Sequence, residues 1–328
     1  MCKTFWDLIM ECNKMTYSIK GKKIVRFVKK KIGICKIVIS RTTLTNTLQL
    51  LKSKEKLLIA YWATGIKSTN WGDALNPILI QKLSGKTPIL AQEIVNLTDQ
   101  DIYSVIGSTL GFFPEKNLVV WGSGFISTSS RFTEEPKKIY AVRGPLTRKL
   151  ILNQGIFCPK IYGDPALLYP LFYKPNIERK YKLGIIPHYA DQNSNLLNTF
   201  KTNSEVLVIN ILSSTNEVVD NICKCERIAS SSLHGIIAAD AYGIPSIWVE
   251  FSENVIGNGF KFYDYFESVG RKNERPHRIT ENTTFNDILG IFKSYKINID
   301  LSQLLDVCPF IERQEVNVLK RKLKELDQ

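Results

Sequence analysis

Residues 226–250 read ERIASSSLHGIIAADAYGIPSIWVE, and this stretch decides the fold. Residues 228–230 predict a short buried strand, and residues 233–242 carry the small and apolar side chains of a helix packed on a sheet. Gly243 is the expected residue after that helix, and residues 246–249 predict a second buried strand. A strand, a helix and a strand in such quick succession are typical of a parallel sheet with helical crossovers.

The serine-rich turn in this stretch places a histidine at the start of the helix. Ser231 or Ser232 is a good N-cap, because a hydroxyl accepts a hydrogen bond from an N–H group of the first turn. His234 then follows the carboxyl end of a strand, which is the edge where open α/β sheets bind ligands. A helix N-terminus there favours an anion, although a histidine in this position is as often a packing or surface residue.

The same alternation of strand and helix patterns runs through both halves of the chain. Asn76 is expected to cap one helix, with Pro77 at its first position, and the proline-rich residues 165–181 are interpreted as an interdomain linker. We therefore predict an α/β protein with two Rossmann-like parallel-sheet domains. Further strands are expected at residues 56–62, 102–106, 117–120, 138–142, 161–164, 183–187 and 206–212. The predicted boundaries are a basic arm at 1–50, domains at 51–170 and 171–300, and an amphipathic helix at 301–328.

Composition narrows the class of protein. The chain has 328 residues, of which 44% are hydrophobic, enough for two domains with ordinary cores. We find no apolar run of about 20 residues and no signal-peptide pattern. The seven cysteines are scattered, and Cys223 and Cys225 lack a second pair or a histidine cluster, so neither a disulfide framework nor a zinc site is expected. A cytoplasmic location fits best.

The net charge of +13 is concentrated at the start of the chain. Residues 1–41 hold nine lysines and two arginines against Asp7 and Glu11, which is +9 and leaves +4 for the rest. The arm mixes these cations with apolar residues, so it could lie on an anionic membrane surface. A solvated basic extension is equally consistent, whereas the rest of the chain shows no basic stripe that would indicate nucleic acid.

Several polar residues follow other predicted strands. Arg143 lies at a strand end beside a helix start, like His234, and offers a bidentate fork for an anion. Asp73 is expected in a loop, either with a role in a site or holding the loop through its own backbone bonds. His188 could serve the cleft, although a surface loop residue is the favoured interpretation, and His277 is interpreted as solvated. The GSG at 122–124 is not a dinucleotide fingerprint, because the third glycine is missing.

Taken together, six short motifs carry a resemblance. In order and spacing they are similar to the polysaccharide pyruvyl transferase family over about residues 56–270. The motifs are NWGD at 70–73, VWGSG at 120–124, VRGP at 142–145, GDP at 163–165, SSSLHG at 230–235 and FKFYDY at 260–265.

The resemblance implies a fold like the GT-B glycosyltransferases, with two domains facing a central cleft. It also implies transfer of pyruvate from phosphoenolpyruvate, as co-substrate, to a sugar diol, which yields a cyclic ketal and phosphate without cofactor or metal. By the same resemblance His234 is the general acid, Arg143 clamps the donor, and Asp73 orients the acceptor or acts as base. The further implied contacts are Ser231, Ser232, Leu233 and Gly235 for the donor, and Asn70, Trp71, Asp73, Lys261 and Tyr263 for the acceptor.

Two other functions stay open. A GT-B glycosyltransferase with a nucleotide-sugar donor would share the architecture, and Glu250 could bind a ribose. A catalytically inactive carbohydrate-binding or scaffold protein is disfavoured, because it would need neither Arg143 nor His234. For a pyruvyl transferase, the basic arm is consistent with an acceptor linked to polyprenyl diphosphate at the inner face of the cytoplasmic membrane, with no nucleic-acid partner.

Overall fold

The computed structural model describes residues 58–65, 69–94, 100–112 and 116–326. Residues 58–90 and 100–326 belong to one compact unit, which contains all the strands named below. Residues 91–94 belong to a second unit and include a single 3₁₀ turn at Ala91–Glu93. The predicted basic arm at residues 1–50 lies outside the described residues.

The first half of the chain builds a parallel sheet of five strands in the order β2-β1-β3-β4-β5. Its central strands are buried along their whole length, as expected for a sheet covered on both faces. The strands are β1 Ile59–Tyr61, β2 Ile89–Leu90, β3 Ile102–Ser104, β4 Leu118–Trp121 and β5 Lys138–Ala141. The strand expected at 161–164 is reduced to a single bridge between Tyr162 and Val142.

The second half builds another five-stranded parallel sheet, in the order β10-β9-β8-β6-β7. Read from the other edge, this order repeats that of the first sheet. The strands are β6 Leu183–Ile186, β7 Val206–Val208, β8 Ile228–Ser230, β9 Ser246–Glu250 and β10 His277–Arg278. The prediction of a solvated His277 is wrong, because the residue is half-buried in β10 and pairs with Val249.

Helices connect and flank the strands of both sheets. Within the described residues they are α1 Trp71–Ser84, α2 Pro145–Leu152, α3 Asn198–Lys201, α4 Thr215–Cys223, α5 Leu233–Ala241, α6 Phe260–Ser268, α7 Phe285–Ile291, α8 Leu301–Asp306 and α9 Arg313–Leu326. The predicted α/β architecture of two Rossmann-like parallel sheets is therefore confirmed.

The start of α1 differs from the prediction. The helix begins at Trp71, so Pro77 lies inside it and Asn76 is not its cap. Proline cannot donate the usual bond to the carbonyl four residues earlier, here that of Asp73. The buried Asn76 amide compensates, because its Nδ2 donates to the carbonyl oxygens of Gly72 (3.2 Å) and Asp73 (3.4 Å). Asp73 consequently lies in the first helical turn and not in a loop.

The segment predicted as a linker is part of the core at its start. Pro165–Leu171 forms a 3₁₀ helix whose first five residues are buried, and it packs against α5. Asp164 caps it by accepting a hydrogen bond from the amide of Ala166 (3.0 Å).

The C-terminal helices pack against elements of the first half. The indole N–H of Trp121 in β4 donates to the carbonyl oxygen of Leu304 in α8 (2.9 Å), and Phe310 packs edge-on against Trp121 and Tyr103. In α9 the apolar residues Val316, Leu319 and Leu323 are buried, as its amphipathic pattern predicts.

Candidate active site

The candidate site lies where the switch points of the two sheets meet. In a sheet ordered 2-1-3-4-5, the loops after strands 1 and 3 diverge and leave a crevice for ligands. Here those loops follow β1 and β3 in the first sheet, and β6 and β8 in the second. They are brought together directly, because His234 after β8 contacts Asn70 after β1, with 3.3 Å between Nδ1 and Oδ1.

The His234 ring is held between two elements of the first half. One ring nitrogen faces the Asn70 amide oxygen, which favours a proton on Nδ1. The other end of the ring lies on Gly72, where an added Cβ would come within 2.3 Å of Nε2. Only a residue without a side chain leaves room for the imidazole here.

The pKa of His234 is lowered to about 3, first by burial and then by the positive charges of Lys261 and Arg143, with His188 contributing further. An imidazole in this environment is neutral at pH 7. The resemblance implies that His234 is a general acid, but general acid catalysis is most effective with a pKa near the working pH, well above this value.

Lys261 from α6 provides a cation at the same place. Burial and the neighbouring Arg143 lower its pKa to about 8, while the carboxylate of Asp73 opposes that shift. Asp73 is half-buried and approaches Gly107 in the loop after β3, where an added Cβ would lie 3.8 Å from its Oδ1. The site thus contains a histidine, a lysine and an aspartate from three different elements.

Arg143 is located beside this site but is enclosed by protein. Its side chain is 0% exposed and forms an ion pair with the equally buried Asp264 of α6, with 3.0 Å from Nε to Oδ2. The other guanidinium nitrogens donate to Ser108 Oγ and to the Phe125 carbonyl oxygen, both at 2.6 Å. A direct clamp on the donor, as the sequence predicted, does not fit this burial. Arg143 instead acts on the site through its charge and by holding the surrounding loops.

The carboxylate of Asp264 also fixes the start of α2. It accepts hydrogen bonds from the amide (2.8 Å) and the hydroxyl (2.7 Å) of Thr147. Gly144 packs so closely on Asp264 that an added Cβ would lie 1.9 Å from its carbonyl oxygen. The sequence analysis missed Asp264, although its place in the FKFYDY motif is a signal that could have found it.

The serine turn is built for structure more than for ligand contact through its hydroxyls. Ser231 Oγ accepts from the His188 amide (2.8 Å) and donates to Asp191 (3.2 Å). Ser232 is the N-cap of α5, but its side chain makes no capping bond and is 2% exposed. The Ser231 hydroxyl is thus committed within the protein, and donor contact by Ser231 and Ser232 stays a prediction.

Some backbone amides of the same turn also form hydrogen bonds within the protein. The amides of Ser231 and Gly235 donate to the carbonyl oxygens of Ile186 and Ser232, respectively. The amides of Leu233 and His234 begin α5, where an N–H group has no carbonyl partner in its own helix. These two amides are the groups of the turn that suit an anionic ligand.

Two aromatic residues predicted to bind the acceptor differ in position. Trp71 is 0% exposed, and its indole N–H donates to the carbonyl oxygen of Thr215 (3.1 Å), so it packs between the two halves and cannot contact a ligand. Tyr263 is 36% exposed and lies edge-on to Trp248, so it is available to one.

The sequence analysis misplaced His188. Its side chain is 7% exposed and not on the surface, and its Nδ1 accepts a hydrogen bond from the Ala190 amide (3.3 Å). The residue follows β6 at the switch point of the second sheet, and that position was the signal for a place in the site. Among the described residues no group of acidic residues, cysteines and histidines could hold a metal ion, and no helix is long and apolar enough to cross a membrane.

Comparison with known proteins assigns the family. The sequence model of the family described as polysaccharide pyruvyl transferase matches residues 17–253, so it starts within the basic arm, earlier than the motifs alone indicate. The chain belongs to the polysaccharide pyruvyl transferase family.

Two curated relatives show how far this similarity extends. Uncharacterized protein L143 of Acanthamoeba polyphaga mimivirus is 29% identical over 285 residues, which cover 82% of this chain and 94% of that protein. Succinoglycan biosynthesis protein ExoV of Rhizobium meliloti (strain 1021) is 29% identical over 170 residues, 50% of this chain and 51% of that protein.

Two solved structures are more distant. An uncharacterized protein from Klebsiella pneumoniae, KP1_0663, has a TM-score of 0.40 at 14% identity and covers 74% of this chain and 99% of its own. The wall teichoic acid polymerase TagF has a TM-score of 0.40 at 12% identity, over 95% of this chain and 100% of its own.

Proposed function

We propose that the chain transfers pyruvate from phosphoenolpyruvate to two hydroxyls of a sugar, forming a cyclic ketal during synthesis of an exopolysaccharide or related bacterial glycan. Membership of the pyruvyl transferase family and the similarity to ExoV, a succinoglycan biosynthesis protein, support the polysaccharide setting. The observation that carries the donor assignment is the position of a neutral His234 beside the cations Lys261 and Arg143.

Phosphoenolpyruvate carries a carboxylate and a phosphate, and this site suits both. Lys261, which the resemblance implied as an acceptor contact, is proposed here to offer its ammonium group to the donor. The first amides of α5 offer N–H groups with the positive end of the helix dipole. Arg143 adds positive potential from behind, although Asp264 neutralises part of it.

Donor binding would also switch His234 to its acidic form. An opposite charge within about 4–6 Å raises the pKa of a histidine by about 1–3. Two anionic groups therefore bring that of His234 from about 3 toward neutrality. The imidazolium then gives its proton to the methylene carbon, the C=C electron pair forms the new C–H bond, and positive charge develops at the adjacent carbon, shared with the phosphate-bearing oxygen.

Asp73 is the proposed general base for the acceptor hydroxyl. A sugar hydroxyl attacks the cationic carbon as Asp73 takes its proton. Departure of phosphate with the electrons of the C–O bond regenerates the cation, and the second hydroxyl closes the ketal ring, its proton leaving with phosphate. The net change converts donor and diol into ketal and inorganic phosphate.

The test is acceptor-dependent phosphate release from phosphoenolpyruvate. The wild type and His234→Gln are assayed with nitrophenyl galactosides, glucosides and N-acetylmannosaminides. His277→Gln is the matched control, because His277 lies half-buried at the edge of the second sheet. We expect activity in the wild type and control and none in His234→Gln. Release of a nucleotide from a nucleotide sugar, with no phosphate from phosphoenolpyruvate, would instead establish the glycosyltransferase alternative.

The basic arm is the basis for two further proposals, which concern where the protein is located in the cell and which lipid carries the acceptor sugar. Its eleven lysines and arginines in 41 residues suit the anionic cytoplasmic face of a membrane and an acceptor on polyprenyl diphosphate. Replacement of all eleven by glutamine should abolish sedimentation with vesicles containing phosphatidylglycerol. Unchanged sedimentation would refute the membrane contact and leave the catalytic proposal intact.

A further inference from the structure

A cavity of about 560 Å³ lies beside the candidate active site, with Tyr263 of α6 in its lining. Its size falls within the range of about 300–1,000 Å³ that is usual for small-molecule sites. The loop after β4, helix α2, the loop before α6 and α6 itself form its walls. The lining residues are Ser127, Thr128, Ser129, Leu146, Ile256, Gly257, Asn258, Phe260, Tyr263 and Glu267.

The lining has the chemistry of a sugar site. Tyr263 offers an exposed aromatic ring, which its edge-on contact with Trp248 holds in place (5.4 Å between ring centres). Residues 127–129 contribute hydroxyl groups to the same cavity, and a hydrogen bond of 3.0 Å joins Ser127 Oγ and Ser129 Oγ. An apolar face beside groups that both donate and accept hydrogen bonds suits a pyranose ring, whose own surface combines C–H faces with hydroxyls.

The charge of the cavity excludes an anionic ligand. Among the described residues that line it, the one charged side chain is Glu267. A carboxylate repels a phosphate or a nucleotide but accepts hydrogen bonds from neutral hydroxyls. The pKa of Glu267 is raised by burial and by the neighbouring Asp264, and hydrogen-bond donors from a sugar would relieve both effects.

The rim of the cavity is held in an unusual backbone conformation. Three consecutive residues have positive φ angles, Gly257 at 102°, Asn258 at 47° and Gly259 at 76°. Gly257 also packs on the loop after β4, where an added Cβ would lie 2.2 Å from the carbonyl oxygen of Ile126. Glycine adopts such angles without steric cost and asparagine tolerates them, so this sequence is suited to the tight turn that forms the rim.

Helix α6 connects this cavity to the donor site. Residues three or four apart share a helix face, so Phe260, Tyr263 and Glu267 face the cavity together. Lys261 lies on a neighbouring face toward His234, and Asp264 with its partner Arg143 stands between the two. A single sugar in the cavity would thus sit next to the reacting sugar and not in its place.

We propose that this cavity, termed the Tyr263 cavity, binds a second sugar unit of the acceptor, so that the protein recognises an oligosaccharide. The proposal rests on the proposed function for its acceptor class. It predicts that a di- or trisaccharide is a better ligand than its monosaccharide, by about tenfold if stacking on Tyr263 supplies about 1.4 kcal/mol.

The first experiment measures binding alone, by saturation-transfer NMR and intrinsic fluorescence. The probes are nitrophenyl galactosides, glucosides and N-acetylmannosaminides, each as monosaccharide, disaccharide and trisaccharide. Oligosaccharides should bind the wild type about tenfold more tightly than monosaccharides, and Tyr263→Ala should remove this preference. Phe157→Ala is the matched control, because Phe157 is 78% exposed and lies outside the cavity. A wild type that binds every monosaccharide as tightly as its oligosaccharides would overturn the proposal.

A second variant and a kinetic readout separate this proposal from the proposed function. Leu146→Trp fills the cavity from α2 and should also abolish the preference, which guards against a misfolded Tyr263→Ala. Phosphate release with the same kcat/KM for all acceptor lengths would refute the cavity while the transferase assignment stands. Length-dependent binding without phosphate release would retain the cavity and refute the reaction.

Discussion

Replacement of Gly72 by alanine tests the geometry of the histidine directly. The new Cβ would lie 2.3 Å from Nε2, 2.4 Å from Cδ2 and 2.5 Å from Cε1 of His234. Carbon atoms in contact stay about 3.5 Å apart or more, so the ring has to move by about 1 Å. A displacement of about 1 Å at a reacting group costs on the order of 10²-fold in rate.

The free energy of unfolding should respond less than the rate. Alanine in place of glycine inside a helix stabilises it by about 1 kcal/mol, whereas forcing a methyl group into a packed site costs about 1–3 kcal/mol. The two effects oppose each other, so we expect Gly72→Ala to be destabilised by about 0–2 kcal/mol. It should nevertheless lose about 10²-fold in kcat/KM for phosphate release.

Gly290→Ala is the control for this prediction. Gly290 lies in α7, and an added Cβ there meets no atom within 4 Å. It should gain about 1 kcal/mol from helix propensity without any change in rate. In the double variant Gly72→Ala/His234→Ala the clash is gone, so its stability should exceed the sum of the single effects.

The measurements are urea denaturation and the phosphate-release assay on the wild type, the three single variants Gly72→Ala, His234→Ala and Gly290→Ala, and the double variant. A Gly72→Ala protein with wild-type kcat/KM and the same gain in stability as Gly290→Ala would refute the reasoning. It would mean that the His234 ring does not rest on Gly72.

Three further predictions concern charged groups of the fold and site. Asp264→Asn leaves the Arg143 guanidinium buried without its counter-charge and should cost about 3–5 kcal/mol in urea denaturation. Asp306→Asn removes the exposed ion pair between Asp306 and Lys320 (2.7 Å) and should cost about 1 kcal/mol or less. Equal losses in the two variants would contradict this account. Burial raises the pKa of Asp164 from 3.8 to about 6. Its protonated form is therefore favoured by folding, and wild-type stability should fall as pH rises through that interval. Asp164→Asn should show no such fall and should have a higher melting temperature than the wild type at pH 7.5. If the melting temperature of the variant depends on pH as steeply as that of the wild type, Asp164 is not the group responsible. The pKa of Lys261 is lowered to about 8, so kcat/KM for phosphoenolpyruvate should decline as the lysine loses its charge above that pH. Lys261→Met should be weak at every pH, and a wild-type profile flat to pH 9.5 would rule out Lys261 as the donor's cation.

Local patterns in the sequence were sufficient for most of the secondary structure. The helix predicted at residues 233–242 is Leu233–Ala241, and the strand predicted at 246–249 is Ser246–Glu250. These elements are readable because burial on both faces of a parallel strand requires a continuous apolar run. Pro77 misled the prediction, because the bonds that the Asn76 side chain makes to the helix carbonyls are invisible in a local pattern.

The residue types of the site could also be predicted from the sequence, but the burial and pairing of their side chains could not. His234 and Arg143 were correctly placed at strand ends that face the candidate site. Whether a guanidinium there contacts a ligand depends on Asp264, which lies 121 residues away and removes Arg143 from solvent. Trp71 has an aromatic ring of the kind that stacks on sugars, yet packing between the two halves of the chain buries it completely.

The sequence by itself determined the strand and helix alternation, the family motifs and the residue types needed for acid–base and anion chemistry. Tertiary structure alone decided which of them meet. It determined that α8 and α9 pack against the first half of the chain. An amphipathic pattern predicts that a helix face is buried but does not indicate which element covers it. It also set the pKa of His234, because desolvation and the fields of Lys261 and Arg143 depend on distances between segments far apart in the chain.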